Sequence, residues 1–188
     1  METGGIKMGD KSVDTRALYM ISSGVYLVST GYEGILNGQI VNTAMQVSGK
    51  PEICIATALH KENYTTELLK KSRRFSISIL DENVPMTFIG TFGFRCGRDH
   101  DKFEKCNFKV HDNCLPVVTD YTLASLCADV VAVHEVKTHF LFVGKVNHAE
   151  IVKEGIPLTY KAYHEIKKGK SPKNAPSHLF NDAGKNNN

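Results

Sequence analysis

NGQIVNTAMQVSGKP, residues 37–51, followed by HKENYTTELLKKS, residues 60–72, decides how this chain is read. The first segment gathers Asn37, Gln39, Asn42, Thr43, Gln46 and Ser48 into one strand-like run, while Ile40, Val41, Ala44, Met45 and Val47 can still feed a core. The second predicts a short helix over 64–72 with Leu68 and Leu69 turned inward. Just ahead of its first turn Asn63 can cap free backbone N–H groups, Thr65 adds a hydroxyl and Lys61 adds a positive charge. A helix start furnished in this way suits an anion. On the residues alone a plainer alternative stays open: a polar edge strand followed by an ordinary capped helix.

Working outward, Ala17 to Thr30 is rich in β-branched and aromatic residues, Gly31 to Gly34 supplies turn chemistry, and Ile35 resumes a strand, which predicts an opening hairpin. Residues 52–59 read as a buried strand, and FSISIL (75–80) alternates apolar and polar side chains like a half-buried one. Two long β-prone runs, 121–136 and 138–150, meet at a tight connection near Lys137 and can close a barrel. Between them and the helix, residues 85–114 are glycine-punctuated and charged, which predicts one or two short helices, an irregular excursion and the natural place for a lid. After Pro157, LTYKAYHEIKK leads into a Pro-, Lys-, Asn- and Gly-rich end without core periodicity. The expected organisation is an N-terminal extension over 1–16, one domain over 17–176 and a mobile tail over 177–188.

At 188 residues the chain is long enough to bury a core without disulfides or structural metals. A net charge of +3 makes no electrostatic case for nucleic acid or for an anionic membrane. No run reaches the roughly 18 apolar residues of a spanning helix. Five cysteines, Cys54, Cys96, Cys106, Cys114 and Cys127, form an odd set without close pairs, which fits reduced thiols in a cytoplasmic protein. Cys96, His100, Cys106, His111 and Cys114 crowd into nineteen residues, but structural zinc sites bring ligands in close pairs and this cluster has no CxxC. The expectation is no metal. No GxGxxG follows a strand, so a Rossmann site is not supported, and no nucleophile elbow occurs.

The order of these pieces resembles the flavin reductase-like proteins that bind FMN in a split β-barrel. The likeness runs from the polar strand through Pro51, EICIATAL, Lys61, Asn63 and Thr65 to THFLFVGKV (138–146) and KKGKSPKNAP, over roughly residues 17–176. It is strongest toward flavoredoxins and the flavin-binding half of high-molecular-weight rubredoxins. The paired CxxC iron ligands of the rubredoxin half do not occur in these 188 residues. The resemblance implies an all-β fold, a Greek-key split β-barrel with a few peripheral helices. It implies that Asn37, Gly38, Gln39, Asn42, Thr43, Gln46, Val47 and Ser48 line FMN and that Lys61, Asn63 and Thr65 hold its phosphate.

His139 in THFLFVG sits where such proteins often carry a histidine near the flavin or the incoming nicotinamide. It is the candidate for a supporting catalytic role; a strand histidine satisfied by a neighbouring carbonyl is the alternative. FGFRCGRDHDKF (92–103) sets Phe92, Phe94, Arg95, Arg98 and Lys102 on a glycine-flexed loop. From it Phe92 could stack on a ring and Arg98 meet a phosphate, unless the charges are only a solvated face.

The function expected from the resemblance is an FMN-dependent oxidoreductase that takes electrons from NAD(P)H or another donor. It passes them to flavin, to rubredoxin or to another redox protein, from a homodimer with FMN at the subunit interface. Two rivals are an FMN electron carrier without NAD(P)H turnover of its own and a zinc-stabilised binding protein.

Overall fold

The computed structural model describes residues 15–111 and 115–176. After a 3-10 turn at Thr15–Met20, β1 (Tyr26–Tyr32) and β2 (Ile35–Val41) form the expected hairpin. Its two-residue turn puts Glu33 at φ 49° and Gly34 at φ 80°, the left-handed pair that matches the twist of the flanking strands. Then come β3 (Ala44–Ser48), β4 (Cys54–His60), α1 (Tyr64–Ser72), β5 (Arg74–Leu80) and α2 (Met86–Phe94). A small hairpin of β6 (Phe108–His111) and β7 (Leu115–Val118) precedes the long strands β8 (Thr122–Val136) and β9 (His139–Ile151), and α3 (Tyr160–Glu165) follows.

The seven main strands pair in the order β2-β1-β5-β8-β9-β4-β3, all antiparallel. This order splits what reads in sequence as one strand over 37–48. Residues 35–41 form one edge of the sheet, residues 44–48 the opposite edge, and Asn42 and Thr43 alone join them. Three peptide steps span at most about 11 Å. Six strand spacings in a flat sheet would separate the edges by about 29 Å. The sheet must therefore roll until its edges nearly meet beside Asn42 and Thr43, which makes it a split barrel.

Burial drives the rolling. Val28, Leu59, Leu69, Phe75, Ile77, Ala128 and Phe142 fill one cluster. Leu27, next to Val28 on β1 and so facing the other way, joins Leu80, Ile89, Phe92, Phe103, Leu158 and Tyr163 in a second cluster beneath α2 and α3. Both faces of β5 are consequently covered. The serines of FSISIL do not face water: Ser76 and Ser78 are buried and donate to the carbonyls of Pro116 and Val118 on β7, at 2.5 and 2.9 Å. Strands β8 and β9 turn at Lys137, φ 50°, and irregularities at Cys127/Ala128 and Val130/Ala132 let them bend around the barrel. Gly144 on β9 lies where a Cβ would come within 2.6 Å of the Phe75 ring. Among the described residues no helix is long and apolar enough to cross a membrane.

Candidate functional site

The β4–β9 register sets His60 opposite His139, so the end of β4, the start of β9 and the start of α1 converge at one end of the barrel. The edge crossing at Asn42 and Thr43 also lines the cavity there. It measures about 690 Å3, is walled by Ile40, Val41, Ile89 and Phe92, and is fringed by Asn37, Gln39, Asn42 and Thr43.

Asn37 is 1% exposed and its Nδ2 donates to Thr65 Oγ1 at 3.1 Å, tying β2 to α1. Its Oδ1 is buried without a partner among the described residues, against the backbone of Gly97, where a Cβ would come within 2.2 Å. The first two N–H groups of α1, on Tyr64 and Thr65, also find no backbone acceptor among the described residues. Asn63 stands at the N-cap with extended backbone, but its side chain does not cap the helix. Its Oδ1 instead accepts from Asn174 Nδ2 at 2.9 Å, fastening the segment after α3 across the helix start.

That segment, 170–176, is the cavity wall least expected from the sequence. The Tyr163 hydroxyl donates to the Lys170 carbonyl at 2.8 Å, Tyr160 shares a hydrogen bond with Ser171, and Gly169 lies so near the Tyr163 ring that a Cβ has no room. Burial first, and the neighbouring Tyr160 second, push the Tyr163 phenol up to about 12. Lys170 and Lys173 both line the cavity.

Of the residues singled out in the sequence, the structure brings together Asn37, Gln39, Asn42, Thr43, Asn63, Thr65, Phe92 and His139. His139 pairs its Nδ1 with Thr138 Oγ1 at 2.8 Å and meets His60 edge to face at 5.1 Å between ring centres. Burial holds its pKa below the ordinary imidazole value, and His60 adds to the effect, with the backbone of Asn174 opposing both.

Phe94, Arg95, Cys96 and Lys102 from the charged run line the cavity too, while the other candidates lie elsewhere in the chain. Gly38 faces Ser29, with its carbonyl accepting from Lys102. Gln46 and Ser48 are spent on the 48–54 turn: Gln46 Nε2 donates to the Ser48 carbonyl, and Ser48 Oγ accepts from Cys54 N–H and donates to the Glu52 carbonyl. Val47 is exposed beside them. Lys61 pairs with Glu135 on β8, and Arg98 pairs with Glu67 above the Tyr64 ring. Of the cysteine and histidine cluster, Cys114 lies outside the described residues, as does the tail over 177–188. Among the described residues no three His, Cys, Asp or Glu side chains converge as a metal site would need.

Among the described residues, charge in the cavity comes from Arg95, Lys102, Lys170 and Lys173 against one carboxylate, Glu62. Lys102 is 6% exposed and donates to the carbonyls of Gly38 at 2.9 Å and Phe92 at 3.3 Å. Burial lowers its pKa to about 8, with Cys96 opposing. Chemically this is an apolar slot with polar edges, unspent donors and a cationic rim, suited to a flat heteroaromatic ring that carries a phosphate.

The chain matches the Flavin reductase like domain family over residues 18–167. It is 42% identical over 163 residues to a ferric-chelate reductase (NAD(P)H) of Archaeoglobus fulgidus, covering 87% of this chain and 96% of that one. To the high molecular weight rubredoxin of Moorella thermoacetica it is 38% identical over 165 residues, covering 88% of this chain and 72% of that one. Its fold overlays flavoredoxin from Methanosarcina acetivorans with a TM-score of 0.67 at 19% identity, over 77% of this chain and 76% of that one. The 170–176 wall lies beyond the matched family segment. With a family match spanning most of the barrel and relatives this similar over nearly nine-tenths of its length, the chain belongs to the flavin reductase-like family.

Proposed function

We propose that the cavity holds FMN and that the protein is a flavin oxidoreductase, moving electrons from NAD(P)H to a second acceptor. The observation that carries this is the buried Asn37 Oδ1, in a cavity that also offers the Tyr64 and Thr65 N–H groups, all without a partner among the described residues. A buried acceptor left unpaired costs about 1–3 kcal/mol, and a polar-edged ring in the slot offers it a donor. The cavity volume lies inside the ordinary range for cofactor sites, roughly 300 to 1,000 Å3.

In this proposal Ile40, Val41 and Phe92 wall the ring, and Asn37, Gln39, Asn42 and Thr43 bond its polar edge. The α1 start with Lys170 and Lys173 takes the phosphate. When bound, flavin supplies the two-electron chemistry; the protein's share is to orient it and exclude water. His139 keeps the supporting role, its half-buried imidazole at the cavity edge with a pKa that burial lowers. Gln46, Val47 and Ser48 sit on edge strand β3, where Met45 and Val47 are exposed, and they reach a flavin only in the cavity of a second copy. That is the sense in which a homodimer shares its sites. A redox protein such as a rubredoxin is the proposed acceptor alongside free flavin.

The test is the visible spectrum of the protein with FMN, before and after anaerobic NADH and NADPH. The expected result is bound oxidised flavin bleached by one or both nucleotides. Bound flavin that neither nucleotide bleaches, but that a reduced redox protein does, would make the protein a carrier. Failure to bind any flavin overturns the proposal.

A further inference from the structure

Lys102 is a buried cation with no carboxylate beside it among the described residues. Its two hydrogen bonds both go to neutral carbonyls, Gly38 on β2 and Phe92 in the last turn of α2. An ammonium has three N–H groups, so one is unspent, and Lys102 lines the cavity. The carbonyl end of α2 favours a cation there, which explains why a lysine is tolerated. It does not explain why a full charge is kept where burial opposes it, since uncompensated buried charge is costly. The exposed Lys170 and Lys173 differ in kind: solvated cations at the rim suit a phosphate that itself keeps water.

Resting on the flavin reading of this cavity, we propose that Lys102 stabilises the negative charge the flavin ring takes up on two-electron reduction, and so sets how readily this protein is reduced. The charge arises from the reaction itself. A dihydronicotinamide gives up a hydride, one proton with two electrons, and leaves as the oxidised pyridinium. The ring gains that hydride at N5 and one net negative charge, spread over its N1 and C2 carbonyl edge. A fixed cation in a water-poor place contributes more to the reduced ring than to the neutral oxidised one.

The experiment uses the full chain loaded with FMN, as wild type and as Lys102→Met, Lys102→Gln and Lys102→Arg. The glutamine variant keeps an N–H donor for the two carbonyls without the charge, so it reports even if the methionine variant folds poorly. Midpoint potentials come from anaerobic reductive titration against a reference dye, and affinities for oxidised FMN and riboflavin from fluorescence quenching. In both uncharged variants oxidised FMN should bind within about twofold of wild type, while affinity for reduced FMN falls about tenfold, a midpoint lower by about 30 mV. Lys102→Arg should stay near the wild-type potential. Unchanged potentials in the methionine and glutamine variants overturn the proposal. So does a loss of FMN affinity with riboflavin affinity and potential unmoved, which assigns Lys102 to the phosphate. A wild type that binds no flavin removes the reading beneath it as well.

Discussion

Asn37 on β2 donates to Thr65 on α1 at 3.1 Å, and this one buried bond fixes the two sides of the cavity that the opening stretch of sequence supplies. It also orients the amide. With Nδ2 committed to Thr65, Oδ1 is turned toward Gly97 and has no partner among the described residues.

Thr65→Val keeps the shape of the side chain and deletes the acceptor. Asn37 Nδ2 then has no partner, which should lower stability by about 1–3 kcal/mol, read as a lower urea midpoint at unchanged slope. Gly97→Ala should weaken flavin binding, because the new Cβ meets Asn37 Oδ1 and displaces either that amide or the 95–97 loop. Unchanged stability in the first variant and unchanged affinity in the second would show that Asn37 is free to turn.

If FMN binds as proposed, two sets of cations compete for its phosphate. Lys61 is committed to Glu135 and packs against Phe140, whereas Lys170 and Lys173 line the cavity. Replacing both Lys170 and Lys173 by alanine should lower FMN affinity by about 1–2 kcal/mol, the range for two exposed charges, and riboflavin affinity much less. Lys61→Ala should cost less than the pair. Titrations in which Lys61→Ala costs more would return the phosphate to Lys61.

What was legible in the sequence was local. The β1–β2 turn, α1 and the turn at Lys137 each follow from side-chain pattern or turn chemistry within a few residues. The break inside 37–48 is not local: Asn42 and Thr43 join opposite edges only because seven strands close on themselves. The polar pair interrupting the alternation was its only trace. The cavity shows the same division. Asn37, Asn42, Thr43 and Thr65 were visible in one stretch, whereas Tyr160, Tyr163 and Lys170 to Asn174 come from the chain's far end. Arg98 and Lys102 stood together in one charged run. Nothing in its spacing could tell the residue that pairs outward with Glu67 from the one buried under Gly38 and Phe92.

Asp81 should dominate acid sensitivity near the end of β5. Asp81 is 5% exposed, with Lys153 Nζ at 2.6 Å and the Asn83 N–H at 2.8 Å from its carboxylate. The Lys153 bond first, and the Asn83 backbone next, hold its pKa below the ordinary value of 3.8. A depressed acid contributes stability that is complete above its unfolded pKa and is lost as pH falls through the folded one. Asp81→Asn should therefore cost about 1–3 kcal/mol at neutral pH, with the gap from wild type narrowing below about pH 4. A gap constant down to pH 2 would mean that the charge on Asp81 is not what matters.

Lys102 makes the opposite prediction at alkaline pH, in protein freed of flavin. Its pKa falls from 10.5 to about 8 because the folded state desolvates the ammonium. Between those values the unfolded chain holds the proton and the folded chain does not, so this residue makes stability rise with pH through that window. The gain is at most about 1.4 kcal/mol per pH unit, roughly 3 kcal/mol in all. Cys106 acts the other way: burial pushes its thiol up to about 12, so it disfavours folding as pH climbs above 9. Comparing wild type with Lys102→Met at pH 7 and pH 10 cancels that contribution and isolates the lysine. Wild-type stability should rise relative to the variant by about 1–3 kcal/mol over the interval, measured as the change in the difference of urea midpoints. Reduced flavin should abolish the rise, because a negative ring restores the charged lysine and lifts its pKa. A difference independent of pH without flavin would mean that Lys102 is hydrated in solution, and no uncompensated charge would then await a ligand.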